Sequence, residues 1–139
     1  MPYNNSEKKK AADKAYAVVH KEEIAAYSKV WRKQHRVELK EYYYHKRLEI
    51  KLETLAHYGI NGTCKCCWPG CSVDDLDMLS LDHVANDGHL DRKKTGILGG
   101  YQLYVHLRSL GFPEGFQTLC CNHQMKKAIL LLRERKGRI

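Results

Sequence analysis

Between Glu7 and Tyr58 the chain contains neither proline nor glycine, and its apolar and aromatic positions are set among Ala, Glu, Lys, Leu and Arg. That composition predicts two or three long helices. An internal echo supports this: HKEEIAAYSKVWR from His20 aligns with HRVELKEYYYHKR from His35, pairing Ile24 with Leu39 and Tyr27 with Tyr42. The offset of fifteen residues is close to four helical turns, so Ile24, Tyr27 and Trp31 share a face with Leu39, Tyr42 and Lys46. Two readings of this region stand open. One is an amphipathic packing stripe with a solvated basic back. The other is an arm whose Lys29, Arg32, Lys33, Arg36, Lys40, Lys46 and Arg47 follow a phosphate backbone. The helical run ends at Gly59, and Gly62, Pro69 and Gly70 break the chain into turns. From Asp77 to His83, Met78, Ser80 and Asp82 alternate with Leu79, Leu81 and His83, the pattern of a short strand, and a loop rich in Gly, Asn and Asp is predicted after it. Leu103, Leu107 and Leu110 mark a short helix over 101–110, stopped by Gly111, Pro113 and Gly115. Asn122 to Arg135 reads as a C-terminal helix with Met125, Ile129 and Leu132 on one side.

Composition narrows the classes. The 139 residues are 43% hydrophobic and 29% charged, with a mean hydropathy of −0.58. No apolar stretch is long enough to span a bilayer, and the chain is too apolar for full disorder. The net charge of +8 and pI of about 9.2 point to a polyanionic partner. Charge is unevenly placed: Lys and Arg outnumber Asp and Glu 13 to 8 over residues 1–62 and 6 to 1 over 118–139, but stand at 5 to 7 over 63–117. The N-terminal segment is charged and lacks the apolar core of a secretory signal, so an intracellular protein is expected. Six cysteines then call for an explanation other than disulfides.

Cys64, Cys66, Cys67 and Cys71 crowd a first knuckle, and Cys120, Cys121 and His123 form a second. Two knuckles, each donating two soft ligands, are what a tetrahedral structural zinc site needs. Cys66 and Cys71 are preferred in the first because Pro69-Gly70 supplies a tight turn before Cys71; Cys64 and Cys67 remain alternatives. Cys120 and His123 complete the expected set.

Between the knuckles lies LSLDHVANDG. A strand ending in Asp-His, a Gly/Asn loop, and then Leu-Cys-x-Asn-His-x-x-x-Lys opening a helix resembles the HNH (His-Me finger, ββα-metal) endonucleases over roughly residues 63–128. The resemblance is closest to small phage- and intron-associated members, in which a stretch like GFPEGFQTLC also precedes the second knuckle. It implies an α+β chain: a basic helical DNA-binding and dimerisation arm over 1–58, then a zinc-stabilised ββα-metal nuclease core over 59–139. The implied activity is a site-specific DNA endonuclease of the homing type, acting on double-stranded DNA as a homodimer. Such chemistry asks for a neutral imidazole to deprotonate water and a divalent cation to stabilise phosphate charge. His83 is then the expected base and Asp82 the expected ligand to Mg²⁺ (or Mn²⁺). Asn86 matches the middle Asn of the family, which ties the loop and orients the histidine through its backbone; a plain turn at Asn86-Asp87-Gly88 is the simpler reading. The family's second Mg²⁺ ligand is an Asn directly after the last zinc ligand. Gln124 stands there, and Asn122 is its rival. Arg92 and Lys127 are candidate phosphate contacts, while His89 and His106 are read as an exposed loop residue and a helix-face residue. A zinc-dependent DNA-binding module without catalysis is the alternative.

Overall fold

The computed structural model describes residues 6–137; residues 1–5 and 138–139, at the outer ends of the two expected domains, lie outside the described residues. The chain divides into two compact units between Tyr44 and His45. It is mostly helical with one small antiparallel sheet, an α+β arrangement.

In the first unit, α1 (Ser6–Val19) and α2 (Lys21–Gln34) lead into α3 (Arg36–His57). His20 and His35, the residues between them, sit at φ/ψ of −100°/22° and −99°/23°. Helical hydrogen bonding runs through both: the His20 N–H donates to Tyr16 O and the His35 N–H to Trp31 O, each at 2.9 Å. The histidine rings stack on the aromatic ring four residues earlier, Tyr16 at 4.1 Å and Trp31 at 4.4 Å. The fifteen-residue echo thus has a physical form, an aromatic–histidine stack at each slackened joint. No residue of α2 is buried, and Tyr27 is 71% exposed. Lys29, Arg32, Lys33, Arg36 and Lys40 are exposed as well.

The second unit begins inside α3. The reason is burial: the last turns of α3 place Ile50, Thr54 and Leu55 in the core. After Ile60–Gly62, a 3₁₀ turn, comes the first knuckle, then β1 (Leu79–His83), α4 (Gly88–Thr95), α5 (Tyr101–Ser109), β2 (Phe116–Cys120) and α6 (Cys121–Arg135). The strands pair antiparallel, with Leu79 opposite Cys120 and His83 opposite Phe116. One core cluster gathers Leu55, Cys66, Leu79, Tyr104, Leu119 and Cys120. A second gathers Tyr58, Leu103 and Leu107, and Leu81 packs against both.

Thr118 ties the knuckle and α3 to the sheet. Its N–H donates to Tyr58 O at 2.9 Å, its carbonyl accepts from the Cys67 N–H at 2.8 Å, and its hydroxyl donates to Leu55 O at 2.8 Å. These bonds satisfy the main chain of an edge strand that would otherwise lie open. Two elements differ from the sequence expectation. The loop after His83 holds α4, closed by a left-handed Gly96 whose N–H donates to Arg92 O at 2.9 Å. Phe116–Cys120, within the stretch read only as leading to the second knuckle, is a strand. Met125, Ile129 and Leu132 on α6 remain exposed. No helix among the described residues is long and apolar enough to cross a membrane.

Leu55 has no solvent exposure. Leu55→Ala should therefore lower unfolding free energy by about 2–5 kcal/mol, measured by urea titration followed by circular dichroism.

Candidate functional site

The first knuckle is shaped by its own backbone. The Cys71 N–H donates to Trp68 O at 3.0 Å, and Gly70, at φ 77°, takes the left-handed position of that turn, which a side chain would disfavour. The Cys66 N–H donates to Val73 O at 3.0 Å, closing the loop from the other side. The second knuckle is the junction of β2 and α6. Cys120 precedes the first residue of α6, so His123, Gln124 and Lys127 fall on one helical face.

These two segments bring Cys66, Cys71, Cys120 and His123 together, with all four donor atoms within 4.8 Å of one another. His123 Nδ1 lies 3.1 Å from Cys120 Sγ and 3.6 Å from Cys66 Sγ, and Cys71 Sγ lies 4.0 Å from Cys120 Sγ. Tetrahedral zinc with bonds of about 2.3 Å to sulfur spaces its thiolates about 3.8 Å apart, so this donor set fits a zinc-like metal. Cys64 and Cys67 are not part of the cluster, and the Cys67 thiol donates to Tyr58 O at 3.2 Å. Cys121 is exposed.

Burial pushes the Cys66 thiol up to about 11, against hydrogen bonds from the Cys120 and Trp68 backbone. Burial also raises Cys120, but the His123 and Asn122 N–H groups at the start of α6 and the neighbouring thiols outweigh it and bring it below the ordinary value. Without metal, Cys120 is the readier thiolate. Trp68 stacks on His123 at 4.9 Å with rings 11° apart, and the Lys126 ammonium sits 5.3 Å from the Trp68 centroid.

A second constellation lies at the far end of β1. Asp82, His83, Asn86, Gly88, His89, Arg92 and Gln124 line one open cleft of about 330 Å³. The sequence-predicted residues Asp82, His83, Asn86, Arg92 and Gln124 therefore converge there, and His89 joins them from α4. Asn122, the rival of Gln124, is exposed on α6 and does not line the cleft. Asp82 Oδ2 accepts from Gln117 Nε2 at 2.8 Å, across the strand pair, and from the Lys127 ammonium. Lys127 also donates to His83 O at 2.7 Å, so it joins α6 to the end of β1. Gln124 Nε2 donates to Leu81 O at 3.1 Å. Asn86 takes φ 59°, a left-handed turn position that Asn tolerates, and its N–H donates to His83 O at 3.0 Å. It holds the main chain of His83. The imidazole is met instead by Asp91, with Nε2 3.3 Å from Oδ2.

The sequence does not single out Asp91, because its stretch reads as loop; only as the fourth residue of a helix that starts at Gly88 does it reach back to His83. Arg47, expected on DNA, has its guanidinium 5.5 Å from the centroid of the Tyr101 ring. No protein family, curated protein or solved structure matches the chain.

The isolated protein is expected to carry one zinc per chain, absent in Cys120→Ser, as measured by elemental analysis. Chelation should lower the melting temperature and change Trp68 fluorescence, read in a Trp31→Phe background. Because Cys66 holds its proton to about 11 and metal binds the thiolate, binding releases protons. Affinity for zinc, read by chelator competition, should fall as pH falls, by about tenfold per pH unit for each thiol that must ionise.

Proposed function

We propose that this chain is a metal-dependent, site-specific DNA endonuclease with a zinc-stabilised ββα-metal core of the HNH type, acting in the manner of homing enzymes. The observation that carries this reading is the convergence of Asp82, His83, Asn86, Arg92 and Gln124 on one open cleft beside a Cys₃His cluster. An open cleft with imidazole, carboxylate, amide and guanidinium groups suits a phosphodiester better than an enclosed apolar ligand. The +8 charge and the exposed cations of α2 and α3 suit double-stranded DNA.

In this mechanism His83 accepts a proton from water, the water oxygen bonds to phosphorus, and the bond from phosphorus to the 3′ oxygen breaks. The 3′ oxygen leaves and takes a proton from solvent, giving a 3′-hydroxyl and a 5′-phosphate. Arg92 neutralises charge on the phosphate. Asp82 and Gln124 offer the hard oxygen donors that Mg²⁺ or Mn²⁺ takes, since both contacts to Asp82 use Oδ2 and the Gln124 contact uses its nitrogen. When bound, such an ion supplies charge stabilisation at the phosphate and the leaving oxygen. Zinc at the Cys₃His cluster is structural. Two copies on a pseudo-palindrome would cut both strands, so a homodimer is the working assembly.

The Lys127–Asp82 ion pair favours a second reading, a zinc-dependent DNA-binding module in which Asp82 serves the fold alone. Plasmid cleavage separates the two. His83→Ala should slow single-turnover cleavage by about 10² to 10⁴ while zinc content and DNA affinity stay unchanged. Asp82→Ala should be similarly slow and need more Mg²⁺ for any residual cutting. Wild-type protein that binds DNA but never nicks it, or a His83→Ala variant that cuts at the wild-type rate, would leave the binding module.

The arm is tested by salt. Replacing Lys29, Arg32 and Lys33 together by Gln should reduce the slope of log affinity against log salt by about 0.9 for each phosphate no longer neutralised. An unchanged slope would return these helices to a packing role.

A further inference from the structure

Resting on the reading of His83 as the base, we infer that Asp91 is its positioning residue: the Asp91 carboxylate holds the His83 imidazole in the Nε2–H form and leaves the Nδ1 lone pair beside Gly88. An ionised carboxylate only accepts hydrogen bonds, so the 3.3 Å contact between Nε2 and Asp91 Oδ2 requires the ring proton on Nε2. The neutral ring then has its basic lone pair on Nδ1. Space is kept on that side. A Cβ built on Gly88 would lie 3.0 Å from His83 Nδ1 and 3.2 Å from Cε1. Gly88 does not adopt positive φ, so a side chain there would press on the imidazole and not strain the backbone. Gly88 also lines the cleft that holds Asp82 and Gln124.

The ring is fixed from a third side by Phe116, whose centroid lies 4.7 Å away. Asp91 is itself well held. Its N–H donates to Asp87 O at 3.1 Å and its carbonyl accepts from the Thr95 hydroxyl at 2.8 Å. The two side chains retain only 19% (His83) and 29% (Asp91) of their exposure, so water competes weakly for the bond. A carboxylate oriented this way selects one tautomer and one ring angle, which is how a buried carboxylate serves a catalytic histidine in general.

The test uses the full chain, zinc-loaded, with ¹⁵N-labelled histidine and the His83 ring signals assigned by their disappearance in His83→Ala. Long-range ¹H–¹⁵N spectra recorded about two pH units above the usual histidine range report the tautomer of the neutral ring. Wild type should show Nε2–H. Asp91→Ala should show a tautomer mixture, Asp91→Asn should also depart from pure Nε2–H, and Asp91→Glu should restore it in part. In single-turnover plasmid cleavage, Asp91→Ala should be about 10- to 100-fold slower with DNA affinity and zinc content unchanged. A wild-type Nδ1–H ring, or a tautomer unchanged in both Asp91→Ala and Asp91→Asn, would overturn the inference. If Asp91→Ala does not fold, the near-isosteric Asp91→Leu, which also removes the acceptor, replaces it in the same spectra and under the same criterion. Wild-type protein that fails to cut DNA defeats the endonuclease reading, while the tautomer spectra still decide the role of Asp91.

Discussion

The second unit depends on the meeting of Cys66 and Cys71 with Cys120 and His123, segments separated by about fifty residues of chain. Trp68, Val73 and Leu76 pack the knuckle against the core cluster that includes Cys66. Three thiols and an imidazole drawn within 4.8 Å would repel or stay protonated unless a cation organised them, and burial of Cys66 makes its ionisation harder still. A metal bound here would therefore contribute folding free energy directly. Because Cys120 ends β2 and precedes α6, fixing it fixes both the strand register and the direction in which the helix leaves.

That direction builds the cleft. One face of α6 carries His123 to the cluster, Gln124 to Leu81 and Lys127 to Asp82 and His83. The same turn of helix thus closes the Cys₃His cluster and braces the end of β1. Thr118 performs the complementary task on the opposite edge of the sheet, joining α3 and the knuckle to β2 through three hydrogen bonds. At the end of β1 the His83 carbonyl accepts from both the Asn86 N–H and the Lys127 ammonium.

Charge follows the same pattern of pairing. Lys127 neutralises Asp82, and Asp91 faces His83, so both polar side chains at the end of β1 have a partner while the cleft stays open. In the first unit the arrangement is different. The fifteen-residue echo appears as repeated aromatic–histidine stacks at the joints of a helical run that buries no residue of α2.

The sequence by itself determined the long helices, because the absence of proline and glycine before Gly59 leaves a helix-forming chain few alternatives. It pointed to the metal donor set as well, since Pro69-Gly70 makes a turn that lets Cys66 and Cys71 face one another. The strand at Leu79–His83 was legible through its alternation. The tertiary structure alone decided α4, whose Gly-Asn-Asp-rich approach looks like loop until Asp91 is seen paired with His83. It decided β2, five residues with no alternating pattern of their own, which become a strand because β1, Tyr58 and Cys67 supply partners for their backbone. It also decided where the second unit begins, because Ile50, Thr54 and Leu55 read as ordinary helix residues until a core closes over them. Local propensity and short spacings are written in neighbouring residues; contacts between His83 and Asp91, or Thr118 and Leu55, exist only once distant segments have been packed together.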